Sequence, residues 1–127
     1  MDTRTLVRED IKSGKELIKH FDHKGLDIKI AFWFLDEEID RWYLFISTSS
    51  VESEGSREVY RSILYAMKGF ITEIRFEDIK VISYDSKMAK IFRSAIHTEK
   101  NTLEPIRFQG NVINGLYIKD ALIYRVN

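Results

Sequence analysis

Apolar residues recur at three- and four-residue spacing near the start of the chain. Between residues 4 and 23, Val7, Ile11, Leu17, Ile18 and Phe21 fall on one side and Lys12, Lys15, Glu16 and Lys19 on the other, which predicts an amphipathic helix. Gly14 lies on the apolar stripe, where the missing side chain lets another element come close. Gly25 is the expected stop.

The period then shortens to two. In residues 27–35, Ile28, Ile30, Phe32 and Phe34 alternate with Lys29, Ala31, Trp33 and Leu35, and residues 40–47 follow with RWYLFIS. Both strands are apolar on two faces over much of their length, which places them at the centre of a sheet covered twice. A four-residue loop at 36–39 sets Trp33 opposite Trp42. The polar stretch STSSVESEGS (47–56) reads as a loop. Ser56 caps a second helix running to about Phe70, with Val59, Ile63, Met67 and Phe70 as its stripe and Tyr60 and Leu64 widening it. Residues 79–84 predict a short strand. Asp85 or Ser86 then caps a third helix, with Met88, Ile91, Phe92, Ala95 and Ile96 inward.

Residues 106–113 and 116–126 flank Asn114-Gly115, the strongest two-residue hairpin signal. Gly110 and Asp120 interrupt the alternation and are the expected bulge positions. The prediction is one α+β domain over residues 1–127, ordered αββαβαββ, with a five-stranded, largely antiparallel sheet and three helices.

Three stretches carry a resemblance: AFWFLDEEIDRWYLFIST (31–48), GSREVYRSILYAM (55–67) and GNVINGLYIKDALIYRV (110–126). Together they resemble a widespread family of short bacterial proteins. Its members share an AFW strand, a W-x-L-x-I strand, a Y-R-x-I helix and a closing hairpin ending in an IYR-like sequence. The resemblance covers most of the chain from about Gly14. It implies the fold but no activity, since no function is assigned to that family.

Composition narrows the function classes. The chain of 127 residues is 44% apolar and 31% charged, ordinary for a globular domain. It has no cysteine, which removes disulfides, thiolate nucleophiles and Cys-based zinc sites. The N-terminal segment alternates acids and bases and does not read as a signal peptide. The longest strictly apolar run, residues 31–35, is far short of the roughly 20 residues a membrane span needs. The expected location is the cytoplasm, without membrane contact.

Lysine plus arginine equal aspartate plus glutamate at 20 each, so no overall field recruits a polyanion. Charge is nevertheless segregated. Residues 36–58 hold seven acids against Arg41 and Arg57, and residues 85–100 hold Lys87, Lys90, Arg93 and Lys100 against Asp85 and Glu99.

Each chemistry that the residues suggest has a plain structural alternative. His20 and His23, with Asp22 between them, have helical ligand spacing, but a third ligand is missing and histidines also suit helix C-termini. No metal or other cofactor is therefore expected. Asp27-Ile28-Lys29 has the acid-x-Lys pattern of metal-dependent nucleases, but the next strand supplies no acid, and Asp36, Glu37, Glu38 and Asp40 suit an exposed turn. Glu104 and Asp120 belong to a different hairpin. The serines at 47, 49, 50 and 53 lack a nucleophile elbow, and Gly55-Ser56 is a single glycine before a helix rather than a phosphate loop. No catalytic residue is assigned.

Lys87, Lys90, Arg93 and His97 share a rough face of the third helix, and Tyr84 stands nearby for stacking. That is the basis for an alternative nucleic-acid reading. The leading expectation is protein binding, either to a partner or to a second copy as a homodimer. The aromatic share, 13%, exceeds what one sheet face needs, and interfaces favour Tyr and Trp. Trp42, Tyr43, Tyr60 and Tyr65 are the expected contacts, with Glu37, Glu38, Glu52 and Glu54 as an acidic edge steering a basic partner.

Overall fold

A computed structural model describes residues 6, 8–99 and 103–127. Val7, the first residues of the predicted helix and Lys100 lie outside that set. The fold is α+β: a five-stranded mixed sheet with helices on both faces. Its elements are α1 (Arg8–His23), β1 (Ile28–Asp36), β2 (Arg41–Thr48), a single turn α2 (Val51–Glu54), α3 (Ser56–Met67), β3 (Ile79–Val81), α4 (Lys87–Ala95), β4 (Ile106–Ile113) and β5 (Leu116–Val126). A short 3-10 turn, Phe76–Asp78, precedes β3.

The strands lie in the order β3-β2-β1-β5-β4. β3 runs parallel to β2, and the other three pairings are antiparallel. The two-sided apolar strand β1 takes the centre. Its alternate residues enter two separate cores. Ala31, Trp33 and Leu35 pack with α1 and α3, while Ile30, Phe32 and Phe34 pack with α4.

Local chemistry explains most boundaries. α1 ends in a Schellman motif: Leu26 N–H bonds the Phe21 carbonyl, Gly25 N–H bonds that of Asp22, and Gly25 takes φ +81°. Ser86 caps α4, its hydroxyl accepting from Ala89 N–H at 3.2 Å. α3 stops at Met67, before Phe70, because Gly69 adopts φ +76°. Within α4, Ala89 is buried and Ala95 is exposed, the reverse of the expected inward set.

Three further expectations shift. Asp36 pairs with Arg41, which moves the β1–β2 turn one residue on. Trp33 consequently faces Leu44, and Trp42 faces Leu35. The Asp36 carboxylate holds Glu38 N–H and Asp40 supplies the left-handed position at φ 54°, which is why the turn sits there. Second, the serine-rich stretch is not a simple loop. Ser47 and Thr48 end β2, and α2 forms because Val51 reaches the core.

Third, the single-residue bulges lie at Lys29 and Tyr124, not at Gly110 and Asp120. The β1–β2 register shifts between Ile28 and Ile30, and the β1–β5 register shifts as Phe32 meets Ile123 but Ala31 meets Arg125. At Gly110, with φ +67°, the β4–β5 register is unchanged, from Gln109↔Asp120 to Asn111↔Ile118. Both strands kink together there. Before it Phe108 and Ala121 face α4; after it Ile113, Leu116 and Ile118 do.

The bulge at Tyr124 turns two consecutive residues toward α1. The Tyr124 hydroxyl accepts from Trp33 Nε1 at 3.0 Å and donates to the Ile11 carbonyl at 2.6 Å. Arg125 forms a two-pronged pair with Asp22, 3.0 Å on each prong, and donates to the Ile28 carbonyl at 3.2 Å. Gly14 sits over this group. A Cβ there would overlap the Tyr124 hydroxyl and lie 2.8 Å from Trp33 Nε1.

Gly14→Ala will therefore cost about 1–3 kcal/mol in urea unfolding through overpacking, although alanine is the better helix former. Combined with Tyr124→Phe, its cost will be less than additive, because the overlapping oxygen is gone. Burial pushes the Tyr124 phenol above its ordinary value, the Trp33 hydrogen bond offsets part of this, and Asp10 adds to it. The folded state thus holds the proton that the unfolded chain releases. The stability advantage of wild type over Tyr124→Phe will stay constant below about pH 9 and shrink above about pH 10.

Candidate functional site

Of the four aromatic residues expected at a contact surface, one is well exposed. Trp42 is 7% exposed and Tyr43 8%. Trp42 lies inside the α1/α3 core with the Arg107 guanidinium 5.9 Å from its ring centroid. Tyr43 is sandwiched by Arg41 and Lys80, at 4.6 and 4.7 Å. Both are packing residues, and the expectation that they form an exposed contact is corrected. One cation covers the Trp42 ring and two cover that of Tyr43, because long basic side chains lay their stems on apolar surface while their heads reach water.

Tyr60 has a different role. Its hydroxyl accepts the Val81 N–H at 2.8 Å, and its ring meets Phe76 edge-on at 5.9 Å. α3 is thereby fastened along β3, with Arg41 adding a 3.1 Å bond to Asp78 just before it. The β3 edge of the sheet is three residues long and closed by a side chain. Tyr65 remains at the surface, 75% exposed, beneath Lys68 at 5.4 Å. It lines a groove of about 1000 Å³ with Leu26, Ser50, Val59 and Arg61, and Leu64 and Ile71 are exposed as well. Glu37 and Glu38 are exposed in the β1–β2 turn, and Glu54 is exposed at the end of α2. Glu52 is also exposed and accepts from the Ser83 hydroxyl at 2.5 Å, and this bond holds its carboxyl below the usual range.

The basic residues do not converge. Arg93 donates to the Tyr84 carbonyl at 2.8 Å and stacks 3.9 Å over the Tyr84 ring, with Asp85 at 3.7 Å. It ties the last turn of α4 back to the loop that precedes the helix. Lys87 and Lys90 border one hollow with Asn114, whereas His97, beyond the helix end, borders another with Lys29 and Asn127. His20 is likewise committed. Its Nε2 bonds the Ala66 carbonyl at 2.7 Å and its ring stacks on Phe70 at 4.0 Å. Among the described residues, no three His, Asp or Glu side chains are grouped to hold a metal ion.

The surface that sequence reasoning missed is the other edge of the sheet. β4 is the outermost strand, eight residues long, and six of those residues are exposed. Arg107, its one charged residue, is drawn back onto Asp120 by two bonds of 2.7 Å, and Gln109 joins the same carboxylate at 3.3 Å. That pairing raises the Arg107 guanidinium further above its ordinary value, against the opposing effect of burial. Along the strand and its partner, Ile106, Val112 and Tyr117 present apolar surface, Val112 at 67% exposure. The alternating composition gave a half-buried strand; its place at an unpaired edge follows from topology alone.

A scan against family models, a search of curated proteins and a search of solved structures each returned no match. Among the described residues no helix is long and apolar enough to cross a membrane.

Replacing Arg93 by Ala will cost about 1–2 kcal/mol, since it removes both the carbonyl bond and the ring contact. The Lys87→Ala/Lys90→Ala double variant will stay within about 0.5 kcal/mol of wild type. Thermal and urea unfolding of the two proteins check this.

Proposed function

We propose that this chain is a small interaction module that engages a protein by adding a strand to the open edge of β4. The observation behind this reading is the contrast between the two sheet edges: β3 is short and fastened by Tyr60, whereas β4 offers eight residues with no covering element among the described residues. An unpaired strand carries a row of free backbone donors and acceptors, which soluble proteins usually blunt with lysine, proline or a covering loop. Here the strand interior has neither lysine nor proline, and its arginine is drawn back from the edge onto Asp120. Strand addition draws affinity from the backbone and selectivity from alternate side chains, which suits a surface without a deep pocket.

In this reading the chain is an accessory or self-associating protein rather than an enzyme. The resemblance to short bacterial proteins of unassigned function stands beside it as a proposal about kinship. A cysteine-free chain has no need of an oxidising compartment, in keeping with the cytoplasm. Leu64, Tyr65 and Ile71 are exposed too, but they are borne by α3 and the segment after it rather than by an edge strand.

Hydrogen exchange on the chain purified from its native host, alone and with bound protein, tests the reading. Binding will slow exchange of amides in residues 106–113 and leave those of α3 unchanged. Protection centred on Leu64, Tyr65 and Ile71, with β4 unaltered, will overturn it.

A further inference from the structure

We infer that the occupant of the β4 edge is a second copy of this chain, paired antiparallel about a two-fold axis between Gln109 and Gly110. This rests on the strand-addition reading above and adds both the partner and its register. The argument is the order in which β4 side chains change face. Ile106, paired with Ile123, and Phe108 face α4; Arg107 and Gln109, bound to Asp120, face the α1/α3 side. Beyond the kink at Gly110, Ile113 and Asn111, the latter paired with Ile118, face α4, and Val112 faces the other way.

Read from either end, the strand therefore presents faces in the same order, with the break in the middle. A two-fold axis normal to the sheet keeps each face on its own side and reverses strand direction. Among in-line antiparallel registers, the one centred between Gln109 and Gly110 pairs all eight residues. It sets Ile106 against the partner copy's residue 113, Arg107 against 112 and Phe108 against 111, each pair on one face. The central residue without a side chain, Gly110, falls where the faces switch. Val112 then covers the stem of Arg107, and the two arginines stand roughly 17 Å apart, five residues along the strand. A strand without this symmetry would bring an α4-side residue opposite one on the far side somewhere along its length. β4 avoids that because its kink coincides with its midpoint.

The natural absence of cysteine permits a register-specific test. Ile106→Cys mixed with Ile113→Cys, under mild oxidation, will give a covalent dimer, whereas neither variant alone will. Light scattering across a roughly hundredfold dilution will show a reversible wild-type dimer. Val112→Lys will weaken it and Val112→Glu will tighten it, each by roughly fivefold, because residue 112 faces Arg107 across the interface. Circular dichroism confirms that both variants fold.

A wild-type chain that stays monomeric at every concentration will overturn the inference. In that case β4 amides protected by a different bound protein preserve strand addition, and unprotected ones remove it as well. Cross-linking by either single variant alone, or equal responses to Lys and Glu at position 112, will overturn the register.

Discussion

The close approach of α1 to the sheet at Gly14 is the constraint on which the rest depends. One hydroxyl, that of Tyr124, ties three elements together: it takes the Trp33 N–H from β1 and gives its own proton to the Ile11 carbonyl of α1. A side chain at position 14 would hold the helix away from that oxygen. Buried polar groups stabilise only when every partner is present, so the indole, phenol and carbonyl form a set. The adjacent Arg125 extends the same grip to Asp22, and the bulge at Tyr124 is what lets neighbours in sequence serve one helix. α1 is thus held at both its middle and its end.

From that fixed point the two layers follow. With α1 and α3 on one face of β1 and α4 on the other, the central strands are largely buried, whereas most of β4 is exposed. At β3 the sheet ends under a tyrosine. At β4 it ends in the open. The difference is one of chain economy: α3 is adjacent to β3 and fastens it through Tyr60, whereas α4 packs on one face of the closing hairpin, against Phe108 and Ile113, and leaves the outer edge of β4 uncovered among the described residues.

The sequence revealed what depends on period and on small local motifs. The alternation of β1, the Asn-Gly hairpin, the Gly25 stop and the notch at Gly14 are all visible because each imposes its own residue pattern. The turn register was missed by one position, since four acids within five residues, Asp36, Glu37, Glu38 and Asp40, offer no compositional sign of which one takes the left-handed place. Aromatic residues were misjudged for a related reason. Trp42 and Tyr43 look like interface residues until cations from β4, β2 and β3 are seen to close over them. Two of those contacts, from Lys80 and Arg107, join residues far apart in the chain. The open edge was equally hidden, because no pattern within a strand states how many neighbours it has.

The position of β5 has a consequence for synthesis. β1 leaves the ribosome early and finds β2 at once, but its other side is filled by the strand running from Leu116 to Val126. Until then the greasiest strand of the protein has a bare flank, and both helical layers rest on half a sheet. Folding that waits for so late a partner is slow to complete and exposes sticky intermediates. A nascent chain stalled or cut before residue 116 is a natural client for chaperones, and the final strand acts as the keystone of an arch that cannot stand without it.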